Sequence, residues 1–521
     1  MIVCPQAVAA EAGLGVLRAG GNAVDAAVAA AFVQGVVDPM MCGIGGSGVM
    51  LVYLAAEGRV EVIDFYARAG SEVRADQWEH LFVREAADRY GYLLEGWVND
   101  CGYQSVGVPG TVAGLAEALR RHGSLSWAEA LRPGLEAARQ GMRVTATVRD
   151  YWLRDQGPDV VPNDRRIQWT AESRRVYTKD GALYELGGRI PNTDLARTYE
   201  RLAEAGPDDF YRGELGHAIA ADFRANGGFI TEEDLAGYRP HISEPVLGSY
   251  RGRRVMAAGP PAGGLTLIQM LNYLERLPAG ADGWPSAAAA RRRIQAMAWA
   301  MAERERWLAD PLFADVPVDR LIAKEYAAAA REAHESPTTT QVCVVDGAGN
   351  AVSLTHTLGA SSGVVTPGLG FTYNNYLNCF DPRPGRVNSL AAGKTRVTMM
   401  VPSLLFRGDS LEVVAGAPGG TRIVTGVLQA LLNLLDHGMS PVEAVSAPRV
   451  DFQGEAVQAE LRIPAEVLDG LLSLGYPVNR RPIGYDPYFA KVQLIHRAED
   501  GTLRGASDPR GDGGIALSLA K

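Results

Sequence analysis

Three hydroxyl residues in a row, Thr338-Thr339-Thr340, stand directly before a run that reads as a buried strand. Val342 to Val345 is short, apolar and rich in β-branched residues, the pattern of a strand. Asp346-Gly347-Ala348-Gly349-Asn350 is dense in turn residues, and Ala351 to Leu358 returns as a second strand. The period of two sets Val352, Leu354, His356 and Leu358 on one face, and Ala351, Ser353, Thr355 and Thr357 on the other. The pair is a hairpin. Upstream, Ala327 to His334 is alanine-rich and reads as a helix that Glu335-Ser336-Pro337-Thr338 breaks. A threonine hydroxyl becomes a nucleophile only when a base removes its proton. By pattern alone the three threonines read as a strand edge. His356, beside Thr357, reads as a strand-face residue rather than a base.

A second chemical feature is Pro418-Gly419-Gly420. It follows an apolar strand, Leu411 to Val414, and precedes an amphipathic helix. Ile423, Val424, Val427, Leu428, Leu431, Leu432 and Leu435 recur at helical spacing, and His437-Gly438 ends the run. A glycine pair at a helix N-terminus exposes N–H groups where the dipole favours negative charge. It reads as a tight strand-to-helix turn or as an oxyanion hole for a tetrahedral intermediate.

These segments, taken together and in order, resemble the gamma-glutamyltranspeptidase family of N-terminal-nucleophile hydrolases. The stretch Thr339-Thr340-Gln341-Val342-Cys343-Val344-Val345-Asp346-Gly347-Ala348-Gly349-Asn350-Ala351-Val352 is similar to that family's cleavage motif. Gly20 to Ala29, Gly43 to Gly48, Ser105 to Thr111, Phe210 to Glu214, Pro418 to Arg422 and Gly505 to Arg510 are similar in type and order. The resemblance implies a mixed α/β fold, a four-layer αββα sandwich with two stacked, mainly antiparallel sheets. It implies that the chain cuts itself before Thr339, seven residues ahead of Asp346. The precursor then becomes 1–338 and 339–521, two fragments of one intertwined unit that stay associated. The freed α-amine, with a reference pKa of about 7.7–8, is the general base. Thr357 corresponds to the threonine that supports the nucleophile, and Gly419 and Gly420 to the oxyanion hole.

The acyl pocket departs from the family pattern. Where the family arginine grips a substrate α-carboxylate, the segment Asp64-Phe65-Tyr66-Ala67-Arg68 carries Tyr66. Arg68 is a candidate replacement, but side chains two apart on a strand share a face without sharing a position. The family's serine pair is Thr398-Met399, the acid that holds the α-ammonium is Cys379, its asparagine is Gly359, and its glutamine is Tyr376. Losing the charged partner of a buried ammonium costs several kcal/mol. The machinery is expected intact and the pocket, built from Tyr66, Tyr376, Cys379 and Met399, more apolar. The expected activity is threonine-dependent hydrolysis of, or acyl transfer from, a small-molecule amide outside the standard gamma-glutamyl class. A genuine gamma-glutamyltransferase or glutathione hydrolase, and an unprocessed non-catalytic binding protein, are the alternatives.

Composition supports an enzyme. The chain has 521 residues, and no low-complexity run or charge block divides it. Apolar residues at 47% and charged ones at 21% suit a globular protein, and 60 glycines suit a loop-rich site. A net charge of −9 offers no basic face for nucleic acid. Arg291-Arg292-Arg293 reads as the solvated start of a helix from Ile294 to Leu308. Five widely spaced cysteines and eight histidines form no metal or redox motif, so neither metal nor cofactor is expected. Gly43-Ile44-Gly45-Gly46-Ser47-Gly48 superficially resembles a dinucleotide loop, but a helix precedes it and a strand follows, the reverse of that motif. No apolar run reaches membrane-spanning length. No charged and apolar leader precedes Met1-Ile2-Val3-Cys4-Pro5, so a cytoplasmic location is expected. Homo-oligomerisation is left open.

Overall fold

The computed structural model describes residues 1–86, 91–155, 157–280, 282–327, 340–420 and 422–518. Thr338, Thr339 and Thr421 lie outside the described residues, as does the expected helix beyond Ala327.

Two sheets stack on one another. The first runs, in spatial order, His241–Ser243, Arg59–Phe65, Ser47–Leu54, Ala351–Thr357, Thr340–Val345, Ile2–Cys4 and Gly514–Ala516. The second runs Val246–Tyr250, Arg253–Ala257, Ser403–Arg407, Ser410–Gly416, Gln493–Arg497 and Leu503–Ser507. Neighbours in both sheets pair antiparallel. Alternation along the strands sorts side chains into layers. Val49, Leu51, Cys343 and Val345 point between the sheets and meet Leu404, Phe406, Val414 and Ile495. Met50, Val52, Val342, Val344, Val352 and Leu354 point outward, against the helices Ala7–Arg18 and Ala23–Val37. On the far side, Val255, Leu405, Val413 and Leu494 meet the helices Gly264–Glu275, Ala287–Trp307 and Arg422–Leu435. The order is helix, sheet, sheet, helix, as expected.

The helix Ala23–Val37 carries apolar residues around its whole circumference because it is buried on every side. Its start is fixed by Asn22, whose side chain accepts from Val24 and Asp25 N–H while Asp25 accepts from Asn22 N–H. The glycines that follow it lead into the strand Ser47–Leu54, so helix precedes strand there.

One expectation is corrected. The second long helix starts at Ala287, capped by Ser286, and ends at Trp307. The arginine triplet therefore lies inside it rather than at its solvated start. Arg291 is exposed, whereas Arg293 is buried, with its guanidinium 3.6 Å from the Trp284 ring centroid and bonded to Asn433 Oδ1 at 2.8 Å. Burial pushes its pKa down to about 9. A flat guanidinium tolerates burial when a ring covers one face and an acceptor takes its edge.

Candidate active site

The hairpin meets the expected register. Thr340 lies opposite His356, and Thr357, the next residue along, lies opposite Ser47. His356 points to the helix layer, where Nε2 donates to Gln34 Oε1 at 2.7 Å. Fully buried, the imidazole has its pKa lowered to about 3 by desolvation and stays neutral. The opposite face of the hairpin is tied to the second sheet by a relay. Thr355 Oγ1 donates to Gln341 Oε1 (2.5 Å), Gln341 Nε2 donates to Ser353 Oγ (2.9 Å), and Ser353 Oγ donates to Ala415 O (3.0 Å). Ala415 is in the strand that ends in the glycine turn. The hairpin and the strand that leads into that turn are thus tied through side-chain hydrogen bonds between Thr355 and Ala415.

Beyond Thr357 the chain makes a tight turn. Thr357 Oγ1 accepts from Gly359 N–H at 2.8 Å. Gly359 has φ +72°, and a Cβ there would lie 2.3 Å from Asn375 Oδ1, so glycine is required. Asn375 locks the turn: Oδ1 accepts from Ala360 N–H (2.9 Å) and Nδ2 donates to Asp100 Oδ1 (2.7 Å). Arg166, itself buried, pairs with Asp100 Oδ2 at 2.5 Å and donates to Ser361 O at 2.7 Å. None of Asp100, Arg166 or Asn375 was singled out from the sequence, because their partners are distant along the chain.

The strand Ser410–Gly416 runs into Ala417, Pro418, Gly419 and Gly420, and the helix begins at Arg422. Gly419 has φ +142° and Gly420 +67°. A Cβ on Gly419 would sit 2.5 Å from Ala490 Cα. Lys491 N–H donates to Pro418 O at 2.9 Å and pins the turn. Among the described residues, neither the Gly419 nor the Gly420 N–H donates a hydrogen bond. Two undonated amides at a helix N-terminus are suited to a developing oxyanion. Pro418 and Gly419 line a cleft of about 410 Å³ together with Met41, Asp100, Ala360 and Asn378.

The remaining candidate residues separate into two groups. Tyr66, Tyr376 and Cys379 come together near the hairpin edge. Tyr66 and Tyr376 share the inter-sheet layer, and the Tyr376 hydroxyl neighbours Ser47, the partner of Thr357. Cys379 is buried close by. Arg68, Thr398 and Met399 do not join them in the same way. Arg68 lies 5.9 Å over the Tyr238 ring and beside Asp64, whose carboxyl burial raises to about 7 against the pull of Arg68. Met399 packs into the outer apolar layer with Val424 and Leu428, so its side chain belongs to the core rather than to the pocket floor. Thr398 Oγ1 accepts from Met400 N–H at 3.3 Å and serves the local turn.

The structure adds a residue that the sequence reading missed. Arg396 is only 3% exposed, with Cζ 4.1 Å from the centroid of the Tyr376 ring. Its Nη1 donates to Asn378 Oδ1 at 2.5 Å and to Cys379 Sγ at 3.1 Å. The available signal was a charge set just before the apolar run Val397 to Val401.

The helix, sheet, sheet, helix layering is a fold of the N-terminal-nucleophile hydrolase type. The described structure superposes on cephalosporin acylase from Bacillus halodurans with a TM-score of 0.90 and 29% identity, covering 100% of this chain and 96% of that one. The chain belongs to the gamma-glutamyltranspeptidase family, whose profile, Gamma-glutamyltranspeptidase, matches residues 9–518. It is 38% identical to the Acylase ACY 1 proenzyme of Pseudomonas sp. (strain V22), over 98% of this chain and 92% of that protein. It is 32% identical to the Glutathione hydrolase proenzyme of Escherichia coli (strain K12), over 98% of this chain and 90% of that protein. The chain is thus an enzyme of a hydrolase and transferase family.

Proposed function

We propose that this protein is made as a precursor that cuts itself between Thr338 and Thr339, and that the fragments 1–338 and 339–521 together act as an acylase on a small amide outside the gamma-glutamyl class. The observations that support the reading are that Ala360, in the turn after Thr357, lines the same cleft as Pro418 and Gly419, and that the Thr355–Gln341–Ser353–Ala415 relay ties the hairpin to the strand leading into that glycine turn. Thr339 directly precedes Thr340, the first residue of the hairpin, in the sequence. Its freed α-amine takes the hydroxyl proton, and the oxygen attacks the substrate carbonyl. The Gly419 and Gly420 N–H groups face the negative charge that develops. The Thr357 oxygen already accepts from Gly359, which leaves its O–H to donate to the nucleophile. Collapse expels the amine with the proton from the α-amine, and water then cleaves the threonyl ester.

The names of the relatives support an acylase and a glutathione hydrolase about equally; the pocket favours the former. The positions expected to clamp a free amino acid carry Tyr66, Gly359, Tyr376 and Cys379.

The purified protein should show two fragments, the smaller starting Thr-Thr-Gln-Val, and Thr339→Ala should remain one chain. Mixed with a panel of acyl anilides, the small fragment should gain the mass of the acyl group, while glutathione and gamma-glutamyl anilides should react poorly. A full-length band that persists on incubation overturns the nucleophile. Efficient hydrolysis of glutathione at micromolar concentration overturns the specificity.

A further inference from the structure

We infer that the cleft beside the glycine turn takes the amine half of the substrate, and that Trp97 is the platform there that selects an amine built on a flat ring. This rests on the acylase reading above. An acylase holds an acyl group on one side of the reacting carbonyl and the amine it releases on the other. Ala360, Pro418 and Gly419 form one edge of the cleft of about 410 Å³. Among the described residues on its walls, none is Tyr66, Tyr376 or Cys379, the residues expected at the acyl floor. The space beyond the glycine turn is therefore the side on which the amine leaves. Its volume falls in the range of pockets for small organic ligands, about 300–1,000 Å³. Its walls carry aromatic side chains brought from separate segments: Tyr92, Trp97, Tyr151, Tyr488 and Phe489.

Trp97 differs from the other four. Its φ is +59°, in the left-handed region that a bulky side chain adopts only when its surroundings hold it there. The preceding Gly96 has φ +72°, and the Trp97 carbonyl accepts from the N–H groups of Asp100 and Cys101, each at 2.9 Å. Asp100 is fixed in turn by Arg166 and by Asn375, which locks the turn after Thr357. The Trp97 backbone is thus anchored to the clamp beside the candidate catalytic edge. Its indole is not anchored. The residue is half-buried, it belongs to none of the apolar clusters, and among the described residues its ring has no hydrogen-bond, aromatic or cation partner. Tyr92 and Tyr488, by contrast, each meet another ring, Phe82 at 6.3 Å and Phe489 at 5.2 Å. A large ring held by a disfavoured backbone, yet packed into no core, points to a ligand rather than to the fold. Its open face favours a second flat ring, stacked or edge-on. A rigid ring also loses less freedom on docking than an open chain does.

The test holds one acyl group constant and varies the amine, offering the self-cleaved enzyme the 4-nitroanilide, the benzylamide and the n-butylamide. Trp97→Gly removes the ring and suits a positive φ, so the backbone is retained. It should lower kcat/KM about tenfold for the anilide and the benzylamide and less than about twofold for the butylamide, the range of one aromatic pair. Comparing variant with wild type cancels the intrinsic reactivity of each amide. Trp97→Phe should keep most of the preference. Hydrolysis of the acyl-threonine, followed by mass once the amine has left, should stay within about twofold of wild type. An equal fall for ring and chain amides, or slowed hydrolysis of the acyl-threonine, shows a structural role and overturns the inference. If Trp97→Gly does not self-cleave, product inhibition of the wild type decides: benzylamine should bind about tenfold more tightly than n-butylamine, and equal inhibition overturns the inference. Acyl-threonine formed from all three amides with no dependence on Trp97 removes the inference alone. No acyl-threonine from any amide removes the acylase reading and the inference with it.

Discussion

The candidate catalytic edge and the candidate acyl floor of this enzyme are built differently. The edge is made by backbone: the register that sets Thr357 opposite Ser47, and the glycine turn at the end of Ser410–Gly416. The floor is made by side chains from separate stretches of the chain, Tyr66, Tyr376, Cys379 and Arg396. Backbone geometry is insensitive to most substitutions, so the chemistry persists while residues change. Side-chain polarity changes with one substitution, so the choice of acyl group drifts. The chain is 32% identical to a glutathione hydrolase proenzyme and 38% identical to an acylase proenzyme, and on the reading proposed above the difference between those two names lies in the floor.

The contrast is open to attack on both sides. The largest effect is expected at Gly419. A methyl there meets Ala490 Cα at 2.5 Å on a backbone with φ +142°, so Gly419→Ala must move the turn. The value of kcat should fall about 10²–10³-fold, the worth of one oxyanion donor, in steady-state assays of protein that still self-cleaves. An unchanged kcat would show that this turn does not face the reacting carbonyl.

A smaller effect is expected where edge and floor join. Asn375→Ala removes the bonds to Ala360 N–H and to Asp100 Oδ1 that hold the turn after Thr357. Leaving those buried groups unmatched costs about 1–3 kcal/mol of stability, readable by denaturant unfolding, and kcat should drop by about tenfold, roughly 1.4 kcal/mol. If kcat holds while stability falls, the clamp serves the fold and not Thr357.

The smallest effect on activity is expected at His356, next to Thr357 in sequence but facing the helix layer. Its folded pKa of about 3 lies below the ordinary 6.5, so the unfolded chain takes up a proton first as pH falls. The neutral imidazole contributes its full stability above pH 6.5, and that contribution declines as pH drops toward about 3, by at most about 1.4 kcal/mol per pH unit. His356→Gln, which keeps an amide near Gln34, should flatten unfolding free energy over that window and leave neutral-pH kcat within about twofold. A large loss of kcat would move His356 into the catalytic machinery.

Local periodicity was enough for much of this. The hairpin at Val342–Val345 and Ala351–Leu358, the helix after Asn22, and the strand, glycine turn and helix around Gly419 were all legible, because alternation, capping and turn chemistry act between residues close in the chain. The ordering of the motifs was enough for the family. Thr339 falls outside the described residues and rests on that ordering alone.

What folding decided was the fate of the charges and the aim of single side chains. Arg293 read as solvated and is buried, because Trp284 covers its guanidinium and Asn433 accepts from it. Arg166, Asp100 and Asn375 form one network only after three distant segments meet. Met399 read as pocket and packs into the apolar layer with Val424 and Leu428. Arg396 acquires its meaning from Gly359, Tyr376, Asn378 and Cys379. A buried charge is tolerable only with partners that satisfy it, and partners brought from elsewhere in the chain leave no period, spacing or motif beside the residue itself.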